Sequence, residues 1–202
     1  MLFLLARADT PKAPRTQHVK WTHREMVVQN PNEAFVRVAV PADSEAIAGI
    51  YNHYVTQTVV TFEEEAISSS EIHRRIQEIQ SSLIWYVAEQ DDEIVGFAYA
   101  GNWSGRSAYR FSTEVTAYVS PDHTGHGIGS RLYGRLLSAL KDRRIHAVIG
   151  GIALPNAASV SFHERFGFTK VAHFREVGFK FNRWIDVGYW QCILQNVEQE
   201  MW

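Results

Sequence analysis

Two kinds of hydrophobic pattern, one typical of strands and one typical of helices, alternate along residues 35–194 of this 202-residue chain. Short apolar runs, as at 35–40, 84–89 and 93–100, predict strands, and segments with apolar residues three or four positions apart predict helices. In chain order the pattern predicts a strand, two helices, three strands, a helix, a strand, a helix and two strands. This order indicates an α/β (α+β) fold with a mixed central sheet and helices on both faces.

Capping and turn residues mark where several of these elements begin and end. Asp43 or Ser44 is expected to cap the first helix, and the serines at 68–70 are expected to cap the second. Residues 90–92 predict a hairpin turn between two strands. Gly167 is expected to stop the short last helix. Several boundaries therefore have a local signal of their own.

The second half of the domain contains the longest predicted strand. This strand covers 107–119 and is followed by a glycine-rich loop and a helix that continues to about residue 142. Residues 147–153 are wholly apolar and predict a buried central strand. The last two strands are predicted at 171–175 and 184–194. The glycine loop therefore lies where a long strand passes into a helix.

Composition indicates one soluble domain. Hydrophobic residues make up 46% of the chain and charged residues 21%, and the net charge is −2. No basic excess points to a nucleic-acid partner. The single cysteine, Cys192, excludes an internal disulfide framework and is typical of a reducing compartment. These values favour an enzyme of the cytoplasm.

The two ends of the chain differ from the domain between them. Residues 1–34 show no sustained period and are predicted to be an N-terminal extension, residues 35–195 the domain and residues 196–202 a C-terminal tail. The apolar stretch at 1–5 is far too short to span a membrane and lacks the charged leader of a signal peptide. We therefore expect a cytoplasmic protein without a membrane partner.

The glycine loop at 123–130 reads His-Thr-Gly-His-Gly-Ile-Gly-Ser and precedes a helix. Backbone N–H groups at such a helix start can bind a phosphate or pyrophosphate. A P-loop is excluded because no lysine precedes Ser130. A dinucleotide site is poorly supported, since Ser130 replaces the third glycine and the next strand has no acidic residue. An ordinary glycine turn remains the alternative for the loop taken alone.

Several short segments occur in a fixed order along residues 35–194. They are Tyr51-Asn52-His53-Tyr54, Tyr99-Ala100-Gly101, Thr113-Glu114, Tyr118-Val119-Ser120, Gly127-Ile128-Gly129-Ser130, Leu154-Pro155-Asn156, His163-Glu164, Gly178-Phe179-Lys180 and Trp184-Ile185-Asp186-Val187-Gly188. Through these segments the chain resembles the GNAT superfamily of N-acetyltransferases, and within it the phosphinothricin acetyltransferase and small L-amino acid N-acyltransferase family. The resemblance runs collinearly from residue 35 to 194 and implies a mostly antiparallel sheet of about seven strands.

The resemblance implies acetyl-CoA as the ligand of the glycine loop. It assigns the pyrophosphate to backbone N–H groups of the loop, and the pantetheine arm to the end of the long strand and to an asparagine side chain. The residues concerned are Ala117, Tyr118, Val119, Gly125, His126, Gly127, Ile128, Gly129, Ser130 and Asn156. The loop departs from the family at Thr124, where glutamine is usual, and at His126, where arginine is common.

The resemblance also implies two catalytic residues. Glu114 shares a strand face with Thr116 and Tyr118, and burial there would raise its pKa so that it can act as general base, directly or through water. The alternative is a strand carboxylate in an ion pair. His163 is implied to donate a proton to the thiolate of CoA. Its alternative is a structural histidine in a helix.

For the acceptor, the resemblance implies contacts from Phe62, Arg106, Tyr109 and Thr116, with Arg106 paired to an anionic group. The alternative is a solvated arginine beside core aromatic residues. His123 and His126 converge poorly and have no cysteine or paired carboxylate nearby, so no metal is expected.

The expected activity is direct transfer of an acetyl group from acetyl-CoA to the amine of a small amino acid or analogue, of the phosphinothricin or methionine sulfoximine and sulfone type. A different amine acceptor, such as a protein N-terminus, polyamine or aminoglycoside, is one alternative. A non-catalytic CoA-binding module is another. The resemblance further implies a homodimer.

Overall fold

The computed structural model describes residues 34–194, which form seven strands and four helices in the predicted order. The predicted extension, apart from Ala34, and the predicted tail lie outside the described residues. The elements are β1 (Phe35–Val38), α1 (Ser44–Gln57), α2 (Ser69–Gln80), β2 (Trp85–Gln90), β3 (Glu93–Asn102), β4 (Ser112–Val119), α3 (Ile128–Asp142), β5 (Ala147–Leu154), α4 (Ala157–Arg165), β6 (Thr169–Lys180) and β7 (Arg183–Ile193).

The strands form a single sheet in the order β1-β2-β3-β4-β5-β7-β6. Every neighbouring pair is antiparallel except β4 and β5, which are parallel. The crossover between these two parallel strands contains α3, as a parallel connection requires. The predicted mixed and mostly antiparallel sheet is therefore confirmed.

Two hydrophobic clusters lie on opposite faces of the sheet. On one face, α1 and α2 pack through Ile47, Val55 and Ile76, which are fully buried. On the other face, α3 contributes Ile128, Leu132, Leu136 and Leu140, the residues whose spacing predicted an amphipathic helix. Helices therefore cover both faces, and the sheet between them carries the site.

The long strand predicted over 107–119 is shorter in the structure. Residues 107–109 form a turn of 3₁₀ helix, in which Tyr109 N–H donates to the Arg106 carbonyl and Arg110 N–H to that of Ser107. Strand β4 begins only at Ser112. The prediction for the first five residues was wrong because local backbone bonds formed a turn where side-chain alternation indicated a strand.

Two other boundaries were decided by contacts between distant residues. The Asp43 carboxylate binds the Arg37 guanidinium and the Val40 N–H, so it does not cap α1 as predicted. Ser68 does cap α2, since its hydroxyl accepts the N–H of Glu71 at 3.2 Å. Strand β6 extends well beyond the predicted 171–175, because its pairing with β7 continues through two register shifts.

Candidate active site

The parallel strands β4 and β5 pair over three residues only and then diverge. Their register joins Ser112 to Ala147, Thr113 to Val148 and Glu114 to Ile149, and no further pairs follow. Strand β4 nevertheless continues to Val119 and β5 to Leu154. A cleft therefore opens in the middle of the sheet, directly after Glu114.

The end of β4 presents to this cleft backbone groups that do not pair with β3. Ser120 N–H donates to the Val95 carbonyl of β3 at 2.8 Å. Because hydrogen-bonded and non-hydrogen-bonded pairs alternate along an antiparallel ladder, the backbone groups of Ala117 and Val119 are directed away from β3. The Val119 carbonyl accepts the Tyr54 hydroxyl at 2.5 Å. This edge of β4 can therefore pair with an extended ligand.

The glycine loop closes one end of the cleft. Thr124 donates its hydroxyl to the Pro121 carbonyl at 3.1 Å, so threonine still closes the turn at this unusual position. Gly125 and Gly127 have φ values of 81° and 78°, in the left-handed region that favours glycine. Helix α3 begins next, and its first hydrogen bond runs from Arg131 N–H to the Gly127 carbonyl.

The loop is suited to an anion because its N–H groups are free. Among residues 34–194, none of the N–H groups at 125–130 donates to a backbone carbonyl. The first N–H groups of a helix have no partner within the helix, and the helix dipole favours negative charge there. Gly129 lies 3.6 Å from Phe162 and Val119 when measured from an ideal Cβ position, so the loop packs closely on β4 and α4.

A cavity of about 1130 Å³ fills the cleft from the glycine loop to strand β6. Most of the residues that the sequence predicted as site residues line it. They are Phe62, Glu114, Thr116, Ala117, Tyr118, Val119, Gly125, Gly127, Ile128, Gly129, Ser130, Asn156 and His163. The structure therefore brings both predicted catalytic residues, most of the cofactor-binding residues and two of the predicted acceptor residues to one cavity.

Three predicted site residues do not line this cavity. Arg106 and Tyr109 lie in the exposed 3₁₀ turn before β4, and the Tyr109 side chain is 43% exposed. His126 is exposed at the tip of the glycine loop. Neither Phe62, at 40% exposed, nor Tyr109 is a core residue, so the alternative of core aromatic residues was wrong.

Glu114 lies at the point where the strands separate. Its Oε1 atom would stand 3.0 Å from a Cβ atom built on Gly151 of β5. Within residues 34–194 its carboxylate has neither an ion pair nor a hydrogen bond, so the alternative of an ion-paired carboxylate finds no support. Burial alone raises the pKa of Glu114 above its ordinary value. Glu114 is therefore a desolvated carboxylate that faces the cavity.

His163 is buried in α4 with one ring nitrogen occupied. Its Nδ1 donates to the Ser159 carbonyl at 2.8 Å in the tautomer that this bond requires. Its Nε2 lies against β5, where a Cβ on Gly150 would be only 2.5 Å away. Burial lowers the pKa of His163, and the bond to Ser159 opposes this shift. The neutral ring is therefore favoured.

Asn156 joins β5 to α4 at the other side of the cleft. Its Oδ1 accepts the Ser159 N–H at 3.0 Å and caps α4. The side-chain NH₂ group has no partner among the described residues and is available as a donor. The same asparagine therefore starts the helix that carries His163 and lines the cavity.

Sequence reasoning missed several lining residues. The cavity wall also includes Tyr99 from β3, Tyr189 from β7 and a stretch of β6. In that stretch, Val177, Gly178 and Phe179 line the cavity. The segment Gly178-Phe179-Lys180 was among those that carried the family resemblance, but the sequence analysis assigned it no role in the site. The structure places the first two residues of this segment in the cavity wall.

The chain matches the family model described as "Acetyltransferase (GNAT) domain" over residues 36–188. This chain belongs to the GNAT acetyltransferases. The acetyltransferase is 38% identical over 156 residues to the phosphinothricin N-acetyltransferase of Streptomyces viridochromogenes, covering 77% of this chain and 85% of the relative. It is 33% identical to the L-methionine sulfoximine/L-methionine sulfone acetyltransferase of Salmonella typhimurium, covering 79% and 94%.

Solved structures agree with this acetyltransferase in fold. The phosphinothricin acetyltransferase of Sinorhizobium meliloti, solved in complex with acetyl-CoA, superposes with a TM-score of 0.77 at 32% identity and covers 80% of this chain and 88% of its own. In the described part of the acetyltransferase, no helix is long and apolar enough to cross a membrane. Residues 34–194 also contain no group of three His, Cys, Asp or Glu side chains placed to hold a metal ion.

Proposed function

We propose that this acetyltransferase moves an acetyl group from acetyl-CoA directly to the amino group of a small amino acid or analogue, of the phosphinothricin or methionine sulfoximine and sulfone type. The observation that carries the proposal is the unpaired Glu114 carboxylate at the centre of the open sheet. The named activities of relatives at 33–38% identity support the acceptor class.

Acetyl-CoA fits the cavity by the chemistry of its lining. The free N–H groups at 125–130 suit a pyrophosphate, and the backbone groups of Ala117 and Val119 suit the amides of an extended pantetheine arm. Asn156 would donate its NH₂ group to the same arm. His126 is included among the proposed contacts of acetyl-CoA on the family resemblance alone. When bound, acetyl-CoA would supply an activated acetyl thioester beside Glu114.

Glu114 would accept the proton of the acceptor ammonium, directly or through a water molecule. An amine attacks a thioester only when it is neutral, so a base of raised pKa is needed. Backbone N–H groups near 115–117 would stabilise the oxyanion that forms at the thioester carbonyl. The cavity is also lined by Tyr99 and Tyr189.

His163 would supply a proton to the departing thiolate. Only the imidazolium can donate from Nε2 when Nδ1–H is bound to Ser159, and burial makes this form a minor species near neutral pH. The contribution of His163 is therefore smaller than that of Glu114, and it increases as the pH falls.

The acceptor would bind at the end of the cavity near β6. Phe62 and Thr116 would line its site, and the apolar Val177 and Phe179 suit an acceptor with an apolar portion. Arg106 and Tyr109 are proposed as acceptor contacts on the resemblance alone, since their turn leads into the strand that carries Glu114.

We also propose that two chains associate as a homodimer through the β6–β7 hairpin. This hairpin exposes large apolar side chains to an extent that is typical of an interaction surface. Those at least 47% exposed are Val171, Phe174, Val177, Phe179, Phe181, Trp184 and Ile193. Because β6 is the edge strand of the sheet, a second copy can cover it.

A thiol-release assay tests the activity. The purified chain is incubated with acetyl-CoA and, separately, with methionine sulfoximine, methionine sulfone, phosphinothricin, a polyamine and a peptide. The proposal expects turnover with at least one of the first three acceptors. Turnover with the polyamine or peptide alone would show a different acceptor class. A thermal shift with CoA but no turnover on any amine would indicate a non-catalytic CoA-binding module.

A further inference from the structure

Lys180, the last residue of β6, is buried without an ion pair. Its side chain is 2% exposed, and its ammonium group donates to the carbonyl oxygen of Thr61 at 2.8 Å. Among residues 34–194 it forms no salt bridge with a carboxylate. A buried cation is costly unless it has a specific partner. The Thr61 carbonyl is a direct partner of the ammonium group, and the Phe181 ring, whose centroid lies 5.2 Å from Nζ, and the charges of Glu63 and Glu64 also favour the cation.

The same residue, Thr61, is held from the opposite side by α1. Its hydroxyl forms a hydrogen bond of 2.8 Å with the Tyr51 hydroxyl. Helix α1 packs on the first half of the sheet, whereas β6 is the far edge strand beyond the cleft. Thr61 is therefore tied to both halves of the sheet that separate after Glu114.

The next residue, Phe62, packs directly on β6. Its ring occupies the space that a side chain at Gly178 would need, since a Cβ built there would overlap the ring. Phe62 and Gly178 both line the cavity, whereas Lys180 does not. Gly178 and Lys180 are two positions apart on one strand, so they contact successive residues of the same segment.

We propose that Lys180 is a positioning residue, which fixes Thr61 and thereby holds the Phe62 ring in the wall of the cavity at the acceptor end. The segment from Thr58 to Phe62 is then a bridge across the cleft, with Tyr51 at one anchor and Lys180 at the other. The assignment of this end of the cavity to the acceptor rests on the proposed function. The contacts by which the segment bridges the cleft do not depend on it.

Hydrogen–deuterium exchange tests the bridge without any acceptor. The variant Lys180→Met keeps an unbranched side chain only one atom shorter and removes the donor, while Lys180→Arg retains a cationic donor. Lys170→Met, at an exposed position on the same strand, is the matched control. We expect exchange at residues 58–68 to become about tenfold faster in Lys180→Met, as expected when a hydrogen bond to a charged group is lost. Lys180→Arg should restore part of the protection.

Kinetics then separate positioning from general stability. In Lys180→Met the KM for the acceptor should rise about tenfold, while the KM for acetyl-CoA stays within about twofold, because the glycine loop is at the other end of the cavity. Gly178→Ala should show the same split if Lys180→Met does not fold, since the added Cβ displaces Phe62 directly.

Unchanged exchange at 58–68, or equal effects on both substrates, would overturn the inference. A wild-type chain that acetylates nothing would refute the proposed function, and the exchange result would still decide the role of Lys180.

Discussion

The Glu114 carboxylate and Gly151 face each other across the point where β4 and β5 separate. Glu114 belongs to β4 and Gly151 to β5, and a Cβ on Gly151 would lie 3.0 Å from Glu114 Oε1. The absence of a side chain on β5 therefore leaves room for a carboxylate on β4.

Glu114→Gln should lower kcat by about 100-fold while leaving the dissociation constant of acetyl-CoA nearly unchanged, because a general base acts in the chemical step. In the wild type, activity should rise with pH through a pKa above the ordinary value for glutamate, and this limb should vanish in the variant. Unchanged turnover would remove Glu114 from the mechanism.

The same substitution has a predicted effect on stability. Because the pKa of Glu114 is higher in the folded chain than in the unfolded chain, the unfolded chain loses this proton at lower pH. The free energy of unfolding therefore falls as the pH rises from the unfolded-state pKa through the folded-state pKa. Removing the charge should therefore leave Tm at pH 7 unchanged or raise it. Thermal unfolding at pH 5 and pH 8 would measure this, and the gain should be larger at pH 8.

Gly151→Ala should lower kcat about tenfold by displacing the Glu114 carboxylate, with little change in the KM for acetyl-CoA. The added methyl group would also meet the Tyr189 ring at 3.3 Å. Gly101→Ala on β3 is the matched control, since a Cβ there meets nothing within 4 Å. Equal activity of the two variants would contradict the proposed contact.

Gly127→Ala should weaken acetyl-CoA binding, because alanine at a φ of 78° costs about 1 kcal/mol and distorts the free N–H groups of the loop. Calorimetric titration with acetyl-CoA should show about fivefold weaker affinity. Gly134→Ala is the control on the same helix, since its Cβ would meet only Phe166 at 3.9 Å. It should stabilise α3 without changing the affinity.

His163→Gln should reduce activity less than Glu114→Gln does, by about tenfold at most. Its effect should be largest at low pH, because the pKa of His163 is lowered by burial and only the protonated ring can donate from Nε2. A pH–rate profile of both variants tests this order. A loss that grows as the pH rises would exclude His163 as the proton donor.

Trp184→Glu should convert a dimer into a monomer if the β6–β7 hairpin is the interface. Trp184 is 62% exposed and contacts Phe179 with ring centroids 4.9 Å apart. A charge there would be buried in the interface without a partner. Light scattering after gel filtration measures the mass, and Lys170→Glu is a control for charge on the same hairpin. A monomeric wild type would refute the proposal.

The hydrophobic pattern predicted the order of all eleven helices and strands in the described part of the chain. Periodicity reports which residues are buried along one element, so it predicted α3 and β5 well. Residue types also indicated the glycine loop and Glu114, because a left-handed turn and a carboxylate in an apolar strand are local signals. The family resemblance added Asn156 and His163, which line the same cavity.

The shape of the site depends on contacts between segments that are far apart in the chain. Local hydrogen bonds made a turn of residues 107–109 and kept Arg106 out of the cavity wall. The separation of β4 from β5, the space at Gly151 and the bond from Lys180 to Thr61 join residues that are tens of positions apart. No periodic signal records such contacts, because they depend on how two distant segments pack and not on the neighbours of either residue in the chain.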